Sequence, residues 1–257
     1  MTDQQNSTVG PGILAGARTV PMRNLQAHVL HELGRMVVSG EIKPGDNLPI
    51  EPDLAGAFGV SKTVIREAVR GLSAKGLVQT RTRLGTRVLP RDEWHMLDPD
   101  VLTWQVNSPH DAELIVEFDQ FRRTVEPMAS RLAAAEAGPA DLAAMKDALD
   151  RMRVSVADQP EYLAADLEFH ALILSATHNR MLCGLRDAVR SALLVRHESL
   201  GESMTAMKDS FPYHEAVYAA IAASDGESAS SHMEELLDLT QSDNERYLKD
   251  RRRQRQE

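Results

Sequence analysis

The stretch GVSKTVIREAVRGL, residues 59–72, decides how the first part of this chain folds. Ser61 is a favourable helix N-cap, because its hydroxyl accepts a hydrogen bond from a free backbone N–H. Apolar residues follow at the 3.6-residue spacing of a helix with one buried face: Val64, Ile65, Ala68, Val69 and Leu72. A short helix over 51–58 precedes it through Gly59, so the order predicts a helix-turn-helix. The alternative is a surface helix of an ordinary α-helical domain.

The next stretch, LVQTRTRLGTRV at residues 77–88, favours the helix-turn-helix. Two short β-prone runs flank a glycine and several arginines, which predicts a hairpin with a basic tip. A hairpin directly after a recognition helix is typical of a winged helix-turn-helix. Arginines at such a tip, here Arg81 and Arg83, can reach phosphates or the minor groove of DNA.

The whole segment LPIEPDLAGAFGVSKTVIREAVRGLSAKGLVQTRTRLGTRV, residues 48–88, resembles the DNA-binding domain of the GntR superfamily of bacterial transcription regulators. The resemblance implies DNA contacts from the recognition helix and from the wing. With the wing arginines, the candidate DNA-binding residues are Lys62, Thr63, Arg66, Arg81, Arg83, Gly85 and Thr86. Many relatives have Arg in place of Lys62, and some have Arg in place of Pro52. Lysine offers a point charge where arginine offers a two-point fork.

Charge is distributed unevenly along the 257 residues. The chain has a net charge of −9, yet residues 18–91 contain 12 Lys and Arg against 6 Asp and Glu, a net of +6, and residues 92–257 contain 17 against 31, a net of −14. A basic first module indicates that only this part binds DNA. A single cysteine excludes an internal disulfide, and the sequence has neither a membrane-length apolar run nor a signal segment. These features predict a cytoplasmic protein.

The fold prediction is mainly α, with an N-terminal winged helix-turn-helix followed by an all-α antiparallel helical bundle. We expect a disordered tail at 1–20, a winged DNA-binding domain at 21–90, a linker at 91–110, an all-helical effector-binding domain at 111–250 and a basic tail at 251–257. Breaks at Gly and Pro divide the second part into helices near 111–137, 139–157, 160–177, 179–199, 208–224 and 226–249.

The linker segment RDEWHMLDPDVLTWQ, residues 91–105, contains two tryptophans. We interpret them as an apolar staple between the domains in preference to a ligand site. The segment also resembles a subset of FadR-type GntR regulators associated with sugar-acid metabolism.

Asp166 and His170 stand four residues apart, so on a helix they share a face and could both reach one ion. His214 begins another predicted helix, and His232 lies on the last one. One Asp with two or three His residues suits a divalent metal such as Zn²⁺. The alternative is a surface Asp–His pair with the other histidines scattered.

This part of the chain resembles the FadR C-terminal (FCD) ligand-binding domain, a helical bundle in which an Asp and three His hold a metal in some members. Asp166, His170 and His214 match three of those positions, but Leu236 stands where the fourth ligand is expected, and His232 lies one turn earlier. The resemblance also implies an inward Arg122 facing an anionic effector. An ion pair of Arg122 with Glu126 is the alternative. The candidate effector-binding residues are Arg122, Arg196 and Asn179.

The sequence therefore predicts a regulator, most simply a repressor, that binds double-stranded operator DNA as a homodimer. A small organic acid, such as a sugar acid, would control DNA binding, with a divalent metal as a candidate cofactor. We expect neither enzyme activity nor membrane association. The alternatives are a small metal-dependent helical hydrolase using Asp166, His170 and His214, and a DNA binder whose helical domain is purely structural.

Overall fold

The computed structural model describes residues 25–81, 83–106, 112–200 and 204–239. The predicted disordered tail at 1–20 and the basic tail at 251–257 lie outside these residues. The chain forms two compact units, Met1–Pro109 and His110–Glu257.

The first unit contains the predicted helix-turn-helix. Its elements are α1 (Leu25–Val38), α2 (Glu51–Phe58), α3 (Lys62–Ala74), β1 (Val78–Arg81), β2 (Gly85–Val88) and α4 (Pro99–Val106). Gly59 ends α2 with a φ of +63°, a left-handed conformation that glycine adopts without steric cost. Ser61 caps α3, because its hydroxyl accepts a hydrogen bond of 3.4 Å from the backbone N–H of Val64.

Strands β1 and β2 form the predicted wing. They pair antiparallel, with Val78 opposite Val88 and Arg81 opposite Gly85. The wing is tied to the chain just before α2, because the Leu48 N–H donates to the Thr86 carbonyl over 2.8 Å. Its hairpin contains Gly85 at a φ of +89° and, less usually for a residue with a side chain, Arg83 at +66°.

The segment predicted as a linker contributes to the first unit instead of only connecting it. Helix α4 lies in this segment and packs on α1. Trp94 and Trp104 are both buried in the core of the first unit, where Trp104 covers Gly34 so closely that a Cβ there would lie 2.4 Å from the indole ring. The tryptophans thus belong to the winged unit.

The second unit is entirely helical in its described residues. It comprises α5 (Ala112–Glu136), α6 (Pro139–Val154), α7 (Gln159–Ala176), α8 (Arg180–Cys183), α9 (Arg186–Leu200), α10 (Met204–Ala222) and a last helix, α11, over 226–239. Helix α7 contacts α5, α6 and α9 and is buried on several sides, with Phe169, Ile173 and Leu174 fully enclosed. The central position of α7 places Asp166 and His170 inside the bundle.

The mainly α fold, with a winged helix-turn-helix and a helical bundle, is confirmed. Several helix boundaries differ by a few residues from the sequence prediction, and the single helix expected over 179–199 is two helices. Helix α8 ends at Gly184, whose N–H donates to the Arg180 carbonyl, and α9 begins two residues later. Within the described part of the chain, no helix has the length and apolar character that crossing a membrane requires.

Candidate DNA-binding surface and metal site

The exposed face of α3 and the wing surround one groove. The groove has a volume of about 670 Å³ and is lined from α3 by Arg66 and Arg70 and from the wing by Arg81, Arg83, Gly85 and Thr86. Lys62 and Thr63 are exposed in the first turn of α3, where the helix dipole is positive. The seven predicted DNA-binding residues therefore lie on α3 and the wing of the same unit.

The second candidate site is a buried cluster at the centre of the helical unit. Asp166 and His170 lie one turn apart on α7, and His214 projects from α10. Asp166 Oδ1 lies 2.9 Å from His214 Nε2 and 3.6 Å from His170 Nε2. All three side chains are almost fully enclosed, and one ligand atom from each lies within 4.8 Å of the others.

The hydrogen bond made by His214 Nδ1 determines whether His214 Nε2 has a lone pair available to the cluster. Its Nδ1 lies 2.9 Å from the backbone carbonyl of Ser210, which only accepts, so Nδ1 carries the proton. In the neutral ring, Nε2 then has a free lone pair. That atom is buried and has no hydrogen-bond partner, although Asp166 Oδ1 lies 2.9 Å away.

His170 is oriented by Glu126, a residue that the sequence analysis did not assign to the site. His170 Nδ1 is hydrogen-bonded to Glu126 Oε2, and Glu126 Oε1 accepts from Arg122 Nε over 2.5 Å. Burial on its own would raise the pKa of Glu126, but Arg122 and His170 outweigh burial and lower its pKa to about 2. An ionised Glu126 accepts a hydrogen bond from the His170 Nδ1–H, so in the neutral ring the Nε2 lone pair of His170 also faces Asp166.

Three acceptor atoms thus converge on one buried point. Burial opposes ionisation of Asp166, yet a hydrogen bond from protonated His214 and the positive charges of His170, His214 and Arg122 hold the pKa of its carboxyl well below the usual value. A metal ion bound at the two Nε2 atoms would take the place of the histidine protons. Two ligand atoms that each lie about 2.1 Å from a shared metal ion are separated by about 3.0–3.4 Å. The observed distances from Asp166 Oδ1, 2.9 Å to His214 Nε2 and 3.6 Å to His170 Nε2, are close to this range. The donor set and its spacing fit a divalent transition metal.

The fourth candidate ligand is not part of this cluster. His232 has a side chain that is 37% exposed and lies 3.1 Å from Glu235 on its own helix. Leu236, one turn further along α11, is buried in the core. His232 is a candidate fourth ligand from the sequence, but the structure brings only Asp166, His170 and His214 together among the described residues.

The structure brings two of the three predicted effector-binding residues together and places the third elsewhere. Arg122 and Arg196 line the same small cavity between α5 and α9, and Arg122 forms the buried pair with Glu126 that the sequence offered as the alternative. Asn179 is exposed and caps α8, with its Oδ1 accepting from the Met181 N–H over 2.9 Å. Asn179 therefore has a local structural role and is not placed with the cluster.

Comparison with known families and proteins agrees with this architecture. The family described as "Bacterial regulatory proteins, gntR family" matches residues 25–88, and the FCD domain family matches residues 117–239. The solved structure entitled "Lar controls the expression of the Listeria monocytogenes agr system and mediates virulence" aligns with 88% of this chain and 99% of its own, with a TM-score of 0.64 and 18% identity. At that identity the likeness shows the fold alone.

Two curated relatives are more similar in sequence. The galactonate operon transcriptional repressor of Escherichia coli is 34% identical over 208 residues, which cover 80% of this chain and 90% of that protein. The regulator LutR of Bacillus subtilis is 32% identical over 203 residues, covering 77% and 91%. With both domains matched in order and these relatives covered over most of their length, the chain belongs to the gntR family of bacterial transcription regulators that carry a C-terminal FCD domain.

Proposed function

We propose that this protein is a transcriptional repressor whose affinity for operator DNA is controlled by a small organic acid bound, together with a divalent metal, in the helical unit. The observation that supports the proposal most directly is the buried convergence of Asp166, His170 and His214 in a regulator of this family. Two histidine nitrogens beside an ionised carboxylate attract a cation, and a divalent metal would replace the protons that otherwise occupy this position.

For DNA recognition, we assign α3 to the major groove and the wing to phosphates or the minor groove. The contacting residues are Lys62, Thr63, Arg66, Arg81, Arg83, Gly85 and Thr86. The protein acts as a homodimer on a palindromic operator, one α3 per half-site, because a two-fold protein matches a two-fold site. Since its target is chromosomal DNA, it works in the cytoplasm.

For the effector, a sugar acid is the favoured class, because a relative with 34% identity is a galactonate operon repressor. The charges agree with this class. Arg122, Glu126 and Asp166 together have a net charge of −1 when both histidines are neutral, so a divalent ion makes the site +1 and attractive to an organic anion. Asp166, His170 and His214 would hold the ion, which would act as a Lewis acid toward carboxylate and hydroxyl oxygens.

The test is thermal unfolding with a panel of sugar acids and dicarboxylates, each with Zn²⁺ and with chelator. An acid at 100 times its dissociation constant stabilises the folded state by about 2.7 kcal/mol. We expect one acid to raise the melting temperature in a way that the chelator abolishes, and the same acid to release operator DNA in a gel-shift assay. A shift that survives the chelator would reject the metal-dependent pocket.

Membership of a family of regulatory proteins argues against the enzyme alternative. The expectation that the chain has no catalytic activity stays a prediction. It is tested by incubating the stabilising acid with metal-loaded protein and following the acid by NMR, where consumption would support a hydrolase.

A further inference from the structure

Arg66, in the middle of α3, does not extend freely into solvent. Its guanidinium is held by Glu51 of α2 through two parallel contacts, Nε to Oε1 at 3.2 Å and Nη2 to Oε2 at 2.9 Å. The pair keeps the Glu51 carboxyl ionised, since the hydrogen bond from Arg66 lowers the pKa of that carboxyl below its ordinary value. A side-on carboxylate pair of this kind restricts where the planar guanidinium can point.

The pairing leaves a defined edge of Arg66 for another acceptor. A guanidinium has five N–H donors, and Glu51 takes one on Nε and one on Nη2. The opposite edge, formed by Nη1 and the second hydrogen of Nη2, keeps three. Both residues line the groove between α3 and the wing, so this edge belongs to the proposed DNA-binding surface.

Glu51 also brings a negative charge to that surface, with 41% of its side chain exposed. A carboxylate there repels every DNA phosphate backbone, whatever the sequence. Its presence therefore weakens binding to DNA in general, unless its hold on Arg66 strengthens binding to one particular sequence.

We propose that Glu51 is a specificity-determining positioning residue: it fixes the free edge of Arg66 for a two-point contact with a base edge in the operator and penalises binding to all other DNA. Arginine makes such two-point contacts with paired acceptors such as the O6 and N7 of guanine. This inference rests on the proposed role of Arg66 in DNA contact, and the test separates the two.

The key variant is Glu51→Gln, which keeps the side-chain shape and removes the charge. Dissociation constants are measured by fluorescence anisotropy of labelled DNA, for the operator and for an unrelated duplex of equal length at one salt concentration. We expect operator affinity to fall and affinity for the unrelated duplex to rise, so that their ratio drops on the order of ten-fold, within the range of one two-point base contact. A ratio that stays constant overturns the inference.

Glu67→Gln is the matched control. Glu67 lies on α3, its side chain is 43% exposed, and it makes a 2.6 Å ion pair with Arg70, so the variant removes the same charge from the same surface. Glu67 has no two-point contact with Arg66. We therefore expect loss of its charge to change the affinities for the operator and for the unrelated duplex in the same direction, with their ratio unaltered.

Arg66→Ala completes a double-mutant cycle. If Arg66→Ala alone leaves operator binding unchanged, the assignment of Arg66 to DNA contact is wrong. If Arg66→Ala weakens operator binding but Glu51→Gln changes the specificity ratio equally in both backgrounds, Glu51 does not act through Arg66, and the positioning inference is wrong. We expect Glu51→Gln to have no effect on the ratio once Arg66 is absent. Thermal unfolding of each variant verifies that the first unit is folded.

Discussion

At the scale of single residues, the proposed metal site depends on which nitrogen of each histidine bears its proton. Ser210 on one side and Glu126 on the other each bind an Nδ1 atom, and both arrangements leave Nε2 directed at Asp166. Outer partners of this kind fix ring orientation and raise the basicity of the ligand. The two histidines are thus prepared for a cation by neighbours that would not touch it.

The different placements of His214 and His232 lead to a first prediction. We expect His214→Ala to lower Zn²⁺ affinity by more than about 100-fold, the upper end of the loss seen for outer partners, because it removes a ligand itself. His232→Ala should leave the affinity unchanged, since that ring is half-exposed and pairs with Glu235. Competition of each variant with a chromophoric chelator measures the affinity. Equal losses in both would mean that α11 supplies a ligand after all.

A second prediction concerns Glu126. Replacing it by Gln removes the charge that orients His170 and balances Arg122, so we expect Zn²⁺ affinity to fall about 10- to 100-fold. Glu168→Gln is the control, because Glu168 lies on α7 but makes a half-exposed pair with Arg190. Nitrogen-15 NMR of the imidazoles checks the cause: the Nδ1–H form of His170 should lose its dominance only in the Glu126 variant. Unaltered affinity and tautomer would contradict the role.

Sequence reasoning identified Asp166 and His170 but missed Glu126. The reason is the separation along the chain between each residue and its partner. Asp166 and His170 are four apart, so helical periodicity alone puts them on one face. Glu126 lies 44 residues from His170, and its contact depends on how α5 packs against α7. From the sequence of α5 alone, Glu126 is predicted only as an i,i+4 ion-pair partner of Arg122. The orientation of the His170 ring therefore cannot be predicted without knowing how the helices of the bundle pack.

At the scale of elements, helix α4 shows how packing can override a local pattern. Residues 91–105 contain turn-forming polar residues and a proline, which predict a linker. Trp104 nevertheless docks on Gly34 of α1, and Lys75 binds Asp98 and Asp100 at the start of α4. Neither partner is near α4 in sequence. By contrast, α3 and the wing follow from a cap, a glycine turn and apolar spacing, all of which are local.

The docking of α4 gives a third prediction. Gly34→Ala should destabilise the first unit by about 1–3 kcal/mol, the usual cost of overpacking, because the new methyl group would overlap the Trp104 ring. Gly56→Ala on α2 meets open space and should stabilise by about 0.5–1 kcal/mol through reduced backbone entropy. Urea unfolding followed by circular dichroism compares the two. A stabilising Gly34→Ala would show that α4 does not pack tightly.

At the scale of the whole molecule, charge is divided along the chain, with residues 18–91 at a net +6 and residues 92–257 at −14. The basic residues of 18–91 are suited to DNA, and the acidic residues of 92–257 repel it. This division favours DNA binding by the winged part of the chain, so the acid that we propose binds in the helical unit would act by changing an equilibrium of the whole protein. The coupling free energy is reciprocal: the acid changes the affinity for DNA by the same factor as DNA changes the affinity for the acid.

Reciprocity supplies the fourth prediction. If an acid weakens operator affinity by a factor within the 5- to 150-fold range typical of allosteric proteins, saturating operator DNA must weaken acid affinity by the same factor. Isothermal titration of the acid, with Zn²⁺ present and with or without operator, measures it. Unrelated DNA at equal concentration is the control. Identical acid affinity in all three titrations would mean that the helical unit does not control DNA binding.

The burial of both tryptophans in the first unit has an optical consequence. Trp94 and Trp104 are the only tryptophans in the chain, so emission excited at their absorption edge originates in the DNA-binding unit and never in the unit that we propose binds the acid. Ligand occupancy by itself is therefore spectrally silent. A change in emission on adding acid and metal would report a conformational change that has reached the winged unit. The unlabelled protein thereby distinguishes effector binding alone from effector binding that alters the DNA-binding unit.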